Sequence, residues 1–246
     1  MTWTPGSVAP TAGPMHPRPD GDATGGGRVS GAEPRLRRFS TGERWVHRSL
    51  AVLMGVLLAT GAILYLAPLS QLVGRRHLVA SIHVWAGLAL PLPVLVGWLR
   101  SRALRSDVRL LNRFTPQDWA WLRAKDRRSG RIPVGKFNAG QKLNGAFVLG
   151  AILVMLMTGS VMNWTSWWPL SWRTGATFVH DWLAFAVLVV VAGHLYMANK
   201  DPVARQGLRT GFVPLSWARR EHGAWAKGSA PAPEPVGPVD AASRDP

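Results

Sequence analysis

The chain has 246 residues, of which 47% are hydrophobic and 17% are charged, and its formal net charge is +16. It contains no cysteine. This excludes disulfides, thiolate zinc sites, iron–sulfur clusters and covalently attached c-type haem within the chain. Any redox centre that the chain binds must therefore use other ligands, and seven histidines are available.

Four stretches are almost free of Lys, Arg, Asp and Glu, and they cover residues 49–68, 79–99, 144–163 and 179–199. Each has about 20 residues, the length that a helix needs to cross about 30 Å of hydrocarbon. A soluble domain would interrupt such stretches with polar residues at helical spacing. We therefore predict an all-α integral membrane protein, a bundle of four helices.

The elements follow one another as a tail, a membrane domain and a second tail. Residues 1–36 are rich in Gly, Pro, Ser, Thr and Ala, and we interpret them as a disordered cytoplasmic tail without a secretory signal. Residues 37–226 are assigned to the membrane domain, and residues 227–246 to a second disordered tail. Within the second span, Pro91 and Pro93 predict a kink.

The positive charges are distributed asymmetrically between the loops. Of 29 Lys and Arg residues, seven precede the first span, twelve lie between the second and third spans, and seven follow the fourth. Positive residues favour the cytoplasmic side, so we expect both termini and the long middle loop on the cytoplasmic side of a bacterial inner membrane. We assign the net charge to this topology and to anionic lipid head groups, with no nucleic acid as partner.

The histidines are the most informative polar residues, because ionisable groups inside lipid are costly and usually functional. His47 lies at the mouth of the first span, His83 in the second, and His180 and His194 in the fourth. The expected topology places His83 and His180 near the outer face and the other two near the cytoplasmic face. We interpret Asp181 as an interfacial or supporting group.

The spacing of these histidines predicts two haem groups. His180 and His194 are 14 residues apart, which places them within about 40° of one helix face and about 21 Å apart along the axis. Opposing histidines at matching depths give the pairs His83 with His180 and His47 with His194. Two axial imidazoles per iron suit electron transfer rather than oxygen binding. A single membrane histidine more often has a structural role, but pairing by depth favours ligation of two b haems.

The remaining histidines carry weaker signals. His16 lies in the predicted tail, His77 at the water interface, and His222 in a charged stretch near the C-terminus. We expect all three to be solvated.

The loop at residues 135–142, just before the third span, has the chemistry of a quinone site. Asn138 and backbone N–H groups, including that of Gly140, suit quinone carbonyl oxygens, and Phe137 offers an aromatic ring. A basic turn that contacts lipid phosphates through residues such as Lys142 explains the same composition. The chemistry of the residues favours neither alternative.

These features together resemble the cytochrome b (gamma) subunit of respiratory, membrane-bound formate dehydrogenases. The resemblance covers roughly residues 37–226, and its long N-terminal extension departs from the family pattern. The segments that carry it are Glu43-Arg44-Trp45-Val46-His47, His83-Val84-Trp85-Ala86-Gly87, residues 135–142, the stretch from His180 to His194-Leu195-Tyr196-Met197-Ala198, and Trp217-Ala218-Arg219-Arg220-Glu221-His222.

The resemblance implies a place in an electron-transport complex. An iron–sulfur beta subunit would deliver electrons on the outer face, and a molybdenum- or tungsten-containing alpha subunit would oxidise formate. The chain itself would reduce menaquinone or ubiquinone on the cytoplasmic side, beside the haem of His47 and His194. By the same resemblance, Asn138 and Gly140 would bind the quinone, with Phe137 and Lys142 as further candidates.

Other assignments remain open at this point. Cytochrome b subunits of nickel–iron hydrogenases or thiosulfate reductases share the four-helix arrangement of histidines. A membrane anchor without haem would need no pairing of histidines by depth. A small transporter would need acids inside the membrane or broken helices, and Asp181 alone gives little support for it.

Overall fold

The computed structural model describes residues 33–127 and 129–229, and within them the chain is predominantly helical. Long helices alternate with short ones, and two short strands lie near the two ends of the described chain. The elements are β1 (Arg35–Arg37), α1 (Thr41–Tyr65), α2 (Ala67–Val73), α3 (Arg76–Ala89), α4 (Leu92–Arg100), α5 (Arg102–Leu111), α6 (Pro116–Arg123), α7 (Ala139–Asn163), a 3₁₀ turn (Thr165–Trp167), α8 (Leu170–Lys200), α9 (Pro202–Thr210), β2 (Phe212–Pro214), α10 (Leu215–Glu221) and α11 (Gly223–Lys227).

Four helical segments are long and apolar enough to cross a membrane: Thr41–Tyr65, Arg76–Arg100, Ala139–Asn163 and Leu170–Lys200. They have 25, 25, 25 and 31 residues, and many of their large apolar side chains are exposed on the bundle surface. This confirms the predicted all-α four-helix membrane fold. The first predicted span was wrong at its end, because the helix stops at Tyr65 and a new short helix with Pro68 in its first turn follows.

The helix of the second span is interrupted at the position where its prolines predict a kink. Helix α3 ends at Ala89 and α4 begins at Leu92, with Pro91 between them. Proline has no N–H group to donate to the preceding turn, so the regular ladder is interrupted here. The N–H of Leu90 donates instead to the carbonyl of Gly87 at 3.2 Å.

The four spans form two hairpins. Helix α1 packs mainly against α3 and α4, and α7 packs mainly against α8. The hairpins meet through α3 with α7 and through α1 with α8. Helix α8 thus lies near the first hairpin, and its histidines meet those of α1 and α3.

A small cap lies beside the helix bundle and corrects the predicted tail boundaries. Strand β1 pairs antiparallel with β2, and Leu36 and Val213, which face each other across this pair, are fully buried. Residues 33–36 therefore belong to the folded part, and at the other end α11 continues through Lys227. The other residues of the predicted tails, 1–32 and 230–246, lie outside the described residues.

Candidate functional site

The fourth span contributes to two pairs of facing histidine rings. Pair I consists of His47 on α1 and His194 on α8, with ring centroids 6.2 Å apart. Pair II consists of His83 on α3 and His180 on α8, with ring centroids 6.3 Å apart. The pairs lie 14 residues apart along α8, about 21 Å along its axis. These are the pairs that depth and spacing predict; their ligation of haem stays a prediction.

Pair II is supported by two threonines that the sequence analysis did not identify. The hydroxyl oxygen of Thr60 on α1 lies 2.8 Å from His83 Nδ1, and that of Thr158 on α7 lies 2.9 Å from His180 Nδ1. Each threonine is buried. A threonine inside an apolar helix commonly bonds to its own backbone, so sequence alone gives no sign of the histidine partner.

Glycines follow both threonines and bring the rings close to the neighbouring helix. A Cβ atom added at Gly61 would lie 3.5 Å from His83 Cε1, and one at Gly159 would lie 3.4 Å from His180 Cε1. Each imidazole of pair II therefore rests on a threonine–glycine step of the first helix of its hairpin. The two hairpins carry the same arrangement.

The other histidines and Asp181 lie outside both pairs. His77 is exposed, as predicted, and Asp181 is half-buried beside His180. The prediction of a solvated His222 was wrong, because this residue is only 3% exposed. Its Nδ1 lies 2.7 Å from the carbonyl oxygen of Gly135, where it donates a hydrogen bond that fixes the start of the 135–142 loop. His16 lies outside the described residues.

The predicted quinone residues are partly engaged in holding the loop. The side-chain oxygen of Asn138 accepts from the N–H of Gln141 at 2.9 Å, and the backbone N–H of Asn138 donates to the side-chain oxygen Oε1 of Gln141 at 3.0 Å. Asn138 is thus the N-cap of α7. What its side chain offers a ligand is the amide NH₂ group.

Two more of these residues face the middle loop between α4 and α7. The ammonium group of Lys142 lies 2.6 Å from a carboxylate oxygen of Asp118 and donates to the carbonyl of Arg113 at 2.9 Å. Gly140 lies against the ring of Trp121, to which an added Cβ atom would come within 3.5 Å. The loop is therefore anchored to α6 and to the segment before it. Phe137 is half-buried and faces the ammonium group of Lys136 at 5.5 Å.

A buried ionic cluster connects the same loop to the N-terminal end of α1. Lys136 donates to Glu43 at 2.9 Å and to Asp107 of α5 at 2.6 Å, and both carboxylates are buried. Burial, together with the hydrogen bond with Glu43, raises the pKa of Asp107 to about 7 against the opposing effect of Lys136. Glu43 lies one helical turn before His47, so the cluster lies close to pair I.

An apolar groove opens on the opposite side of α1 from His47. It has a volume of about 520 Å³ and lies at the kink of the second span. Neither Asn138 nor the other predicted quinone residues line it. Its lining is Trp45, Arg48, Ser49, Val52, Leu53, Ala89, Leu92, Pro93 and Val96.

Comparison with known protein families decides what kind of membrane protein this is. The model of the prokaryotic cytochrome b561 family matches residues 38–209, which include all four spans and both histidine pairs. The chain belongs to this family. Family membership implies b haem, and it confirms the resemblance to cytochrome b subunits.

Similar curated proteins are subunits of formate dehydrogenases. The formate dehydrogenase cytochrome b556 subunit of Haemophilus influenzae is 23% identical over 208 residues, which cover 78% of this chain and 83% of that protein. A cytochrome b556 subunit of an Escherichia coli formate dehydrogenase is 24% identical over 202 residues, covering 76% and 90%. The nitrate-inducible E. coli counterpart is 27% identical over 95 residues, covering 37% and 44%.

The geometry of both pairs fits a bis-imidazole haem iron. Metal–imidazole bonds of about 2.0–2.1 Å on opposite sides of one ion would place the two ring centroids about 6.4 Å apart. The measured separations of 6.2 and 6.3 Å agree with this value. At pair II, the threonine hydroxyls lie at Nδ1 of each ring, so Nε2 is the nitrogen that remains for the metal.

Proposed function

We propose that this chain is the di-haem cytochrome b subunit of a formate dehydrogenase complex that delivers electrons to a membrane quinone. The observation that carries the proposal is the presence of two facing histidine pairs at two depths of a cytochrome b561 bundle. The names of the relatives support formate dehydrogenase as the enzyme. Formate oxidation itself would take place in another subunit.

The four histidines would hold two b haems, which supply reversible one-electron transfer when bound. With two histidines for each haem, no position would remain for oxygen, which would favour electron transfer over oxygen binding. Neutral imidazoles also need no buried counter-charge. The chain thereby fixes two redox positions about 21 Å apart along α8, near the two ends of the bundle.

Haem content is the first test. We expect the purified, membrane-inserted chain to show two b haems by pyridine-haem quantification and a reduced-minus-oxidised spectrum. His194→Ala should remove only the pair I signal and His180→Ala only the pair II signal. His77→Ala is the matched control and should keep both haems, because this histidine is exposed outside both pairs. An inserted wild type without haem would contradict the proposal and favour a haem-free anchor.

The electron donor is tested by reduction in native membranes. We propose an iron–sulfur beta subunit and a molybdenum- or tungsten-containing alpha subunit as partners, so formate should reduce the b haems. A tagged chain should retain both partner subunits during purification in mild detergent. Reduction by hydrogen instead of formate would assign the chain to a nickel–iron hydrogenase. Haem oxidation by added thiosulfate would assign it to a thiosulfate reductase.

We propose that menaquinone or ubiquinone binds at the 135–142 loop, near pair I. Asn138 would donate its amide NH₂ group to a quinone carbonyl oxygen, with Gly140, Phe137 and Lys142 around it. The loop position supports this, because the Lys136 contact with Glu43 places it about one turn of α1 from His47.

The quinone test must separate binding from capping. Asn138→Asp and Asn138→Ser both keep an oxygen that caps α7, but neither keeps the amide donor. We expect both variants to raise the KM for a soluble quinone analogue while leaving haem content unchanged. Val52→Trp would fill the apolar groove at the kink and is the control. If Val52→Trp impairs quinone reduction and the Asn138 variants do not, the groove is the site.

We propose that the chain lies in a bacterial inner membrane with both termini on the cytoplasmic side. The positive charges of the middle loop support this orientation. The chain has no cysteine, so single cysteines can report topology directly. Ser129 lies in the middle loop and Ser166 in the turn before α8, and both are exposed. A membrane-impermeant maleimide should label Ser166→Cys in spheroplasts, and Ser129→Cys only after lysis. The reverse pattern would contradict this orientation.

A further inference from the structure

We infer that Thr60 and Thr158 are positioning residues that orient the imidazoles of pair II and increase their electron donation to the iron. This rests on the proposed haem ligation and adds to it a difference between the two haem sites. The threonines belong to different hairpins, so the same arrangement has been built twice, once on each side of pair II.

The hydrogen-bond directions at each threonine follow from its proton count. A threonine hydroxyl has one proton, and that of Thr60 lies 2.7 Å from the carbonyl oxygen of Val56. The carbonyl can only accept, so the hydroxyl donates to it and must accept from His83 Nδ1. This nitrogen therefore carries the proton, and Nε2 keeps the lone pair that a metal needs.

The second threonine repeats this pattern in the other hairpin. Its hydroxyl lies 2.8 Å from the carbonyl oxygen of Val154, one turn earlier on α7, and 2.9 Å from His180 Nδ1. Both histidines of pair II are thus fixed as the same tautomer. The glycines that follow each threonine let the rings approach the helix backbone, which restricts their rotation.

Pair I has no equivalent support among the residues that the structure describes. Within residues 33–127 and 129–229, no hydrogen bond joins a ring nitrogen of His47 or His194 to another residue. The charged cluster of Lys136 lies one turn away and contacts the carboxylate of Glu43 instead. The two sites therefore share a ligand type and differ in what holds the ligands.

This difference has an electronic consequence. A hydrogen bond from Nδ1–H to an acceptor makes the imidazole a stronger donor and stabilises the oxidised, more positive iron. The threonines should therefore lower the reduction potential at pair II, and their removal should raise it. Second-shell partners of metal-bound histidines typically change metal affinity by 10- to 100-fold. We expect about a tenfold change in the reduction equilibrium for each threonine, which equals 59 mV for a one-electron couple.

Redox titration of single variants tests the inference. Thr60→Val and Thr158→Val keep the side-chain shape and remove the acceptor, whereas Thr60→Ser and Thr158→Ser keep the hydroxyl. The valine variants should raise the midpoint of one haem only and change its electron paramagnetic resonance anisotropy, which reports ring orientation. The serine variants should behave like the wild type. Thr177→Val is the control, since Thr177 on α8 bonds only to its own backbone, at Arg173.

The outcomes separate this inference from the proposed function. Instead of shifting the midpoint, a valine variant can lose the pair II haem selectively. If the serine variant at the same position keeps that haem, this result also supports the inference. Equal behaviour of valine and serine variants, whether both are unchanged or both lose haem, overturns it. A shift in the pair I haem alone overturns it as well. Absence of haem from the wild type would instead reject the proposed function.

Discussion

Pair I and pair II each consist of two histidines with nearly the same distance between ring centroids, but the two pairs have different surroundings. Pair II lies between neutral threonine hydroxyls and glycines inside the apolar bundle. Pair I lies close to the N-terminal end of α1, where Lys136, Glu43 and Asp107 form a buried ionic cluster. The two histidine pairs therefore have the same residue type and differ in the residues that surround them. The buried ionic cluster lies at the end where the long middle loop contacts the helices, whereas Asp181 beside His180 is only half-buried.

The largest effect is expected from removing the single cation of that cluster. Lys136→Met would leave two carboxylates facing each other in a buried site, and breaking a buried ion pair costs about 3–5 kcal/mol. Thermal unfolding in detergent, followed by the visible absorption of the haems, should show pair I failing first.

A control for this variant exists in the middle loop. Arg131→Met removes an exposed ion pair with Asp126, whose members are 80% and 64% exposed. Exposed pairs contribute little, so the melting curve should stay close to that of the wild type. Equal melting of the two variants would show that the cluster does not support pair I.

A smaller effect is expected from tightening the helix contact beside pair I. A Cβ atom at Gly97 on α4 would lie 2.5 Å from Val46 Cγ2 and 2.7 Å from Leu104 Cδ2. Val46 precedes His47 and is branched at Cβ, so it cannot easily turn away. Gly97→Ala should destabilise the protein by about 1–3 kcal/mol, measured by the same thermal unfolding.

The matched variant near pair II is Gly87→Ala. Its added Cβ atom would lie 3.8 Å from Leu57 Cδ2, which is an ordinary contact. We expect this variant to melt like the wild type, and helix propensity favours it slightly. If Gly87→Ala destabilised the protein more than Gly97→Ala, the contact distances at the two glycines would not explain the stabilities of the variants.

Sequence alone was sufficient for the features that repeat along one helix. Twenty apolar residues indicate a span, two prolines indicate the kink, and a 14-residue spacing places His180 and His194 on one face. It could not provide the features that join distant parts of the chain. Glu43 and Lys136 are 93 positions apart in the sequence. The strands that bury Leu36 have three residues each, which is too short to show an alternating hydrophobic pattern.

The threonines show a second reason for failure. The presence of Thr60 in an apolar helix is explained by the hydrogen bond of its hydroxyl to the backbone carbonyl of Val56, one turn earlier. Its role towards His83 depends on the packing of α1 against α3, which hydropathy does not encode. The threonine–glycine steps lie 23 and 22 residues before the histidines that they support. Such a step is not specific by itself, because α1 also contains Thr41-Gly42.

The last prediction separates the two ends of the bundle by pH. Asp107 has a pKa of about 7 in the folded protein against an ordinary value of 3.8, so folding favours its protonated form. Its contribution to stability is therefore full below the ordinary value, falls as pH rises, and is lost above about pH 7. Ionisation adds a negative charge beside Glu43, which Lys136 and the buried guanidinium of Arg38 only partly offset.

Asp107→Asn removes this titration while keeping the side-chain volume. The melting temperature of the wild type should fall between about pH 4 and about pH 7, and that of the variant should fall less. The reduction potential at pair I should follow the same change, because the new charge lies beside Glu43, which is one turn of α1 before His47, and a negative charge favours oxidised iron. Pair II lies about 21 Å away along α8, and its potential should respond much less. Equal pH responses at both pairs would show that the ionic cluster does not distinguish them.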